Sequence, residues 1–395
     1  MAVKKRLSIE EKLQIFIKRT KVPNIKWSMF ICIFLTLILL STGLVKSKFN
    51  NSVQALALIS DSKSNEKLSC VFVGDIMFGR SVENVAEKYG YEHLLRNVTQ
   101  LLKGADYVTG NFESAVLLKD EEYYKKEDKN IHLFSKKESV KALKDANFTV
   151  LNLANNHIVD YGEEGLKDTL SVLKENNIPY VGAGRDVHEA ERYNITEING
   201  IRIATLGFGE VNPKNFKASD IKGGILVSDP ETFLRLIEEA DKKADLVIVH
   251  NHWGEEYENI QNPKQEKFAR VMVDAGADIV VGHHPHVLQP IEVYNDSLIL
   301  YSLGNFVFDQ GWSKTKDSAL VNYKLHENGT GEFSIAPMRI NEGTPNISSN
   351  SYHTKRIFNT LTKKLQSDKY YFEDGRLIIK LDNSRVVKSS IDRKK

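Results

Sequence analysis

The stretch Asp278-Ile279-Val280-Val281-Gly282-His283-His284-Pro285-His286-Val287-Leu288-Gln289-Pro290 sets an apolar run directly before three imidazoles. A short apolar run of this kind reads as a buried strand. The histidines then fall where the strand gives way to a loop. Strand ends in α/β proteins are where ligands and metals are gathered. His is the commonest metal ligand, and a His-x-His pair is its compact form. A surface loop that happens to be His-rich is the plain alternative.

Four other apolar strands end in the same way. They are followed by Asp75-Ile76-Met77-Phe78-Gly79-Arg80, by Asn111-Phe112-Glu113, by Asn155-Asn156-His157-Ile158-Val159-Asp160, and by His250-Asn251-His252. Singly, each has an ordinary explanation. Asp75 could cap a helix, Glu113 could pair with a Lys, Asn156 could cap a turn, and His250 reads as a structural histidine. Together they are hard to explain as packing, because such groups are costly to bury without partners. Two divalent ions need a bridging carboxylate and several terminal N/O ligands, and a nearby His can protonate a leaving group. Asp75, Glu113, Asn156, His252, His284 and His286 are therefore the candidate metal ligands, with His283 a bystander. Mixed N/O donors without Cys suit Mn, Fe or Zn.

Between these ends strands and helices alternate. Strands are expected at Leu68–Gly74, Tyr107–Gly110, Thr149–Leu153, Tyr180–Gly182, Leu246–Val249 and Ile279–Val281. Helices are expected over 82–103 in two pieces broken at Gly90, over 136–146 capped by Ser135, and over 163–176, 230–242 and 265–275. Alternation of this kind indicates a parallel sheet. Asn199-Gly200, Asn295-Asp296 and Asn328-Gly329 are hairpin turns inserted into that pattern. A helix near 354–366 and a strand at Leu377–Leu381 come late. The expectation is an α/β fold with two packed sheets flanked by helices.

At 395 residues with 41% apolar and 27% charged residues, the chain is a folded protein. Its net charge is +2, but residues 1–48 hold ten Lys/Arg against Glu10 and Glu11, so the remainder is −6. A nucleic-acid partner for the folded part is excluded on that balance. Residues 27–45 carry no charge and are flanked by Lys26 and Lys46. Nineteen residues at ~1.5 Å each span roughly a hydrocarbon core. The basic segment before them should stay inside and send the C-terminus outward. Ala55-Leu56-Ala57 has the form of a cleavage site but lies too far from the apolar run, which favours an uncleaved anchor. The organisation expected is a cytoplasmic tail 1–26, a transmembrane signal-anchor 27–45, a polar linker 46–67, a folded domain 68–345 and a C-terminal extension 346–395. Cys32 and Cys70 sit in unlike environments, so no disulfide is expected.

The ordered motifs, from Gly74-Asp75 through Asn111-Phe112-Glu113, Asn155-Asn156-His157, His252-Trp253-Gly254-Glu255-Glu256-Tyr257 and Gly282-His283-His284-Pro285-His286 to Ser302-Leu303-Gly304-Asn305-Phe306, resemble the CapA/PgsA family of poly-γ-glutamate capsule biosynthesis proteins. That family is related to calcineurin-like metallophosphoesterases. The resemblance implies a metallophosphoesterase-like α/β/β/α four-layer sandwich behind a single transmembrane helix. It implies a cell-membrane protein with its domain outside, needed for polymer synthesis or export. Its partners would be the membrane subunits of the synthase and the polymer itself. The alternative it carries is a metal-dependent hydrolase of polyglutamate amide or phosphoester bonds. By motif, Asp75 would be a terminal ligand, Glu113 the bridge, Asn156, His252 and His284 the ligands of the second metal, and His286 of the first. His157 would be the general acid, and Arg80 would hold a substrate anion. Phosphoesterases begin with Asp-x-His, whereas this chain has Asp75-Ile76-Met77, which implies one ligand fewer at the first metal.

Overall fold

Strand β1, Glu66–Ile76, is buried from Leu68 onward, and the two layers around it are sorted by its alternation. Leu68, Cys70 and Phe72 face one apolar layer, while Val71 and Val73 face another. A period of two makes this division automatic. In the computed structural model, which describes residues 65–211 and 216–393, β1 lies at the centre of a ten-stranded sheet. On one side it pairs in parallel with β2, Tyr107–Phe112, which pairs with β3, Val150–Asn152, and that with Tyr180–Val181. On the other side Asp317–His326, Thr330–Asn341 and Arg376–Asp382 continue antiparallel.

The second sheet has six strands. Ile201–Gly209, β4 (Leu246–His252), β5 (Ile279–His283) and Ser297–Leu300 run parallel at its centre. Hairpins close both edges through Asn199-Gly200 and Asn295-Asp296, whose residues all take positive φ as tight hairpin turns require. Ile203, Leu246, Ile248, Ile279 and Val281 meet Leu68, Cys70 and Phe72 between the sheets. Helices Ser81–Tyr89, Lys137–Asp145 and Gly162–Glu175 cover the far face of the first sheet through Val82, Val140, Leu143, Leu166 and Leu170. Pro230–Asp241 and Pro263–Asp274 cover the far face of the second through Phe233, Leu236, Ile237, Ala269 and Met272. The mixed α/β layering expected from the sequence is present.

Several expectations change. The helical stretch after Arg80 is three pieces, Ser81–Tyr89, Tyr91–Leu95 and Thr99–Lys103, because it breaks again after Leu95. Ser135 caps no helix. Its hydroxyl accepts from the Phe78 N–H at 3.3 Å and pairs with Ser114 at 2.7 Å. Strands β4 and β5 run on to His252 and His283, which sit opposite each other in register, so these histidines belong to the sheet and not to loops beyond it. A short strand β6, Asn305–Val307, pairs in parallel with β1 at Asp75 and Ile76. The approach there is close: a Cβ on Gly74 would lie 1.9 Å from the Gly304 carbonyl oxygen, so only glycine fits. The segment 27–45 lies outside the described residues, and among those residues no helix is long and apolar enough to cross a membrane. Cys70 is a free, buried thiol.

Residues 346–393 are not an appendage. Arg376–Asp382 is a strand of the first sheet, and helices Ser351–Leu361 and Ser384–Asp392 put Ile357, Leu361, Val386 and Val387 into the layer between the sheets. The last helix is fastened by charge as well. Arg385 pairs with Asp241 and Asp278, and Arg393 with the fully buried Asp245 at 2.6 Å. Ile379→Ala removes a fully buried side chain of this segment and should lower unfolding free energy by about 2–5 kcal/mol in a denaturant titration. A loss near zero would mean the C-terminal strand is not part of the core.

Candidate metal centre

Alternation along β4 puts Leu246, Ile248, His250 and His252 on the face between the sheets. Along β5 it does the same for Ile279, Val281 and His283. Imidazoles therefore enter the inter-sheet layer at its open end, where β1, β2 and β3 of the opposite sheet deliver Asp75, Asn111 and Asn152. His250 crosses to the first sheet, its Nε2 2.9 Å from the Thr109 hydroxyl. Its Nδ1 lies 2.9 Å from His283 Nε2, and the two rings stack. His250 is thus the structural histidine the sequence indicated.

The six expected ligands converge. Glu113 Oε1 lies 3.6 Å from His252 Nε2 and 3.7 Å from His286 Nε2. His252 Nε2 lies 2.8 Å from Asn156 Oδ1. Asp75 Oδ2 lies 3.2 Å from His286 Nδ1 and accepts from the His284 backbone N–H at 3.3 Å. Donor atoms of Glu113, His252 and His284 form one group within 4.8 Å, and those of Asp75, Glu113 and His286 form a second. Glu113 belongs to both, which is the position of a bridging ligand. Asp75, Glu113 and His252 are fully buried, and His284, His286 and Asn156 nearly so. His284 and His286 both take positive φ, 94° and 55°, so the loop between β5 and Val287 folds back tightly enough to present two rings from three residues.

The site calls for positive charge. Glu113 Oε1 and His284 Nδ1 are buried without a hydrogen-bond partner. Separations of 3.6–3.7 Å between Glu113 and two imidazoles suit donors sharing one ion, since bonds of about 2.1 Å in tetrahedral array put donors roughly 3.4 Å apart. Burial would push Asp75 up, but the hydrogen bonds and charges of His283 and His286 outweigh it and hold its carboxyl well below the ordinary range. Burial raises Glu113 well above its ordinary value, with Asp75 and Glu256 adding to the effect against the pull of His286. Burial lowers His286, but the charges of Glu113 and Asp75 win and hold it up to about 9. His284 is driven down to about 3 by burial and by the His286 charge. The residues present fit a pair of divalent cations: two carboxylates, an amide oxygen and three imidazoles.

Met77 does not contribute a donor. It is buried, and its sulfur accepts from the Gly79 N–H at 3.0 Å. The first group nevertheless keeps three donors. Asn111 and Asn305 were not singled out from the sequence, yet they orient the ligands. Asn111 donates to Asp75 at 2.9 Å and Glu113 at 3.2 Å, and its own oxygen accepts from Asn152 and Asn155. Asn305 Oδ1 lies 2.9 Å from His286 Nδ1, which leaves Nε2 to face Glu113. His283, read as a bystander, lies 3.3 Å from Asp75 Oδ1 and supports it. The signal for both asparagines was positional: each sits in register beside Asp75.

His157 forms a dyad, its Nδ1 2.7 Å from Asp160 Oδ2. Lys129, which sequence reasoning passed over within a charged loop, donates to Asp160 at 2.7 Å and to the Asn156 carbonyl at 2.7 Å. Burial lowers the His157 pKa despite Asp160. Arg80 is already engaged. Its guanidinium pairs with Asp309 and lies over the Phe308 ring, which in turn packs against His286. An anion reaching Arg80 has to compete with Asp309.

The family described as "Bacterial capsule synthesis protein PGA_cap" matches residues 69–310. The chain is 45% identical over 390 residues to "Capsule biosynthesis protein CapA" of Bacillus anthracis, covering 98% of this chain and 93% of that protein. It is 46% identical over 389 residues to "PGA biosynthesis protein CapA" of Bacillus subtilis (strain 168), covering 98% and 100%. Among solved structures, the Haemophilus influenzae NAD nucleotidase aligns at 16% identity and a TM-score of 0.42, covering 83% of this chain and 60% of that one. A family match running from the first core strand past Asn305, joined to near-full-length identity of this order, makes the chain a member of the bacterial capsule synthesis protein family PGA_cap.

Proposed function

We propose that this chain serves poly-γ-glutamate capsule synthesis as a membrane-anchored component, with a divalent-metal centre at the open end of its two sheets. Residues 27–45 would be the anchor, and the domain from residue 68 would stand outside the cell beside the membrane subunits of the synthase. The observation that carries the metal-dependent part is the buried Glu113 Oε1, unpartnered and facing two imidazoles. Near-full-length similarity to capsule biosynthesis proteins supports the process.

Asp75, Glu113 and His286 would hold one cation, and Glu113, Asn156, His252 and His284 the other. Mn, Fe or Zn suits this donor set. Bound cations supply Lewis-acid polarisation of a carboxylate, carbonyl or phosphoryl oxygen. Asn305 and Asn111 keep the ligands in place. A second reading, hydrolysis of polyglutamate amide or phosphoester bonds, is favoured by the His157–Asp160 dyad. Asp160 fixes Nδ1–H, so Nε2 is the exchangeable position. The lowered pKa leaves the ring neutral at pH 7, so it takes up a proton before it gives one.

Full-length protein should hold two divalent ions per chain after metal loading, measured by elemental analysis. Glu113→Gln should lose both ions and should fail to restore surface polymer in cells lacking their own copy. Normal capsule from Glu113→Gln, with no metal in either protein, would falsify the metal-dependent role. Asn305→Ala should weaken metal binding about 10–100-fold while leaving the fold intact.

Metal affinity should rise with pH. A proton held on His286 up to about 9 must leave before Nε2 can take a cation. Binding therefore releases protons at pH 7–8, and affinity gains up to about tenfold per unit until pH approaches 9. Calorimetry in buffers of different ionisation enthalpy reads this directly. Affinity flat across pH 7–9 would contradict the arrangement. For the second reading, wild type should cleave polymer or a generic phosphodiester and His157→Ala should not. No turnover by wild type with any of the three metals removes hydrolysis and leaves the first reading standing.

A further inference from the structure

Glu256 sits in the turn after β4, in the run Trp253-Gly254-Glu255-Glu256-Tyr257. Its side chain is exposed, and an exposed glutamate is ordinarily solvated and needs no explanation. Its surroundings are not ordinary. A Glu256 carboxylate oxygen lies within 4.8 Å of ligand nitrogens of both His284 and His286. His284 belongs to the group that would hold one ion, and His286 to the other. Glu113, fully buried, touches the same two groups from inside the sheets. Of the two carboxylates, one is internal and the other faces solvent.

Two further observations point to a ligand here. His284 Nδ1 is buried and unpartnered, on a residue 5% exposed. Met77, two residues after Asp75, is buried with its sulfur committed to the Gly79 N–H and adds no donor. The Asp75, Glu113 and His286 group is thus open to a further donor. The turn that carries Glu256 is tied to the histidine loop itself. Tyr257 N–H donates to the Pro285 carbonyl at 2.8 Å, and the Gln289 amide donates to the Glu258 carbonyl at 2.8 Å. These bonds join the backbone of the turn to the histidine loop, which places Glu256 beside the rings.

We infer that Glu256 is a second, solvent-side bridging ligand of the metal pair, making up for the donor that Met77 does not supply. This rests on the metal reading above. Its exposure makes it the exchangeable member of the set. A substrate oxygen arriving from solvent meets the Glu256 carboxylate first and has to displace it or bind beside it, whereas Glu113 cannot be displaced without opening the sheets.

The test is Mn²⁺ binding by full-length protein in detergent, stripped with a chelator and titrated by equilibrium dialysis, with low-temperature electron paramagnetic resonance. Wild type should bind two ions and give the signal of a coupled pair. Glu256→Gln, which keeps size and removes charge, should weaken at least one of the two sites about tenfold or more and reduce the coupled signal. Glu255→Gln, altering the neighbouring exposed glutamate, should behave as wild type, and thermal melts of the stripped proteins should coincide. Two ions bound by Glu256→Gln with wild-type affinity and coupling would overturn the assignment while leaving the metal centre itself intact. No ion bound by wild type would overturn both.

Discussion

Two carboxylates shut off from bulk solvent set the terms for this fold. Asp75 and Glu113 are fully buried at the mouth of the layer between the sheets. An uncompensated buried charge costs several kcal/mol even after relaxation. The surrounding elements supply what compensation the chain itself can give. Asn111 donates to both carboxylates, the His284 backbone donates to Asp75, and a proton on His286 stands between them. Each of those groups needs a support of its own, hence the asparagine relay from Asn152 and Asn155 and the stack of His250 on His283. The sheet order follows the same demand: Asp75 has Asn111 on one side and Asn305 on the other because β2 and β6 pair in parallel with β1 there.

The layered fold was legible because its signals are local. Apolar runs of four to seven residues, helices with one apolar face and Asn-Gly turns each report on their own neighbourhood. All six proposed ligands were also legible, since a polar group at the end of an apolar run stands out. What was missed depends on partners distant in sequence. His252 and His283 are the last residues of their strands because β4 and β5 extend each other. Ser135 bonds Phe78 and Ser114 instead of a helix end. Arg80 looked like a free anion anchor because nothing near it in sequence announces Asp309, 229 residues on. Lys129 was hidden in a run of charges, several of which are exposed.

Left-handed backbone occurs at the candidate site as well as in the hairpin turns. His284 and His286 hold left-handed backbone, as does Arg80 at the rim. Non-glycine residues in that region cost of order 1–3 kcal/mol each when they are held there by their surroundings. Here the holding contacts are visible: Asp75 grips the His284 N–H, and Asn305 grips the His286 ring. The backbone is thus bent into shape by the same residues that would bind the ions, so ligand geometry and loop geometry are one property.

The C-terminal helix carries a consequence for how the molecule is made. Arg385 and Arg393 reach Asp278 and Asp245, the residues just before β5 and β4. Those strands carry His283 and His252 at their other ends. Ribosomes deliver the N-terminus first, so β1, with Asp75, emerges some three hundred residues before the helix that braces the opposite sheet. The inter-sheet layer stays short of Leu377, Ile379, Val386 and Val387 until those residues follow. Assembly of the histidine-bearing end therefore waits on residues 376–393, and without them the strands that carry the histidines lack their brace.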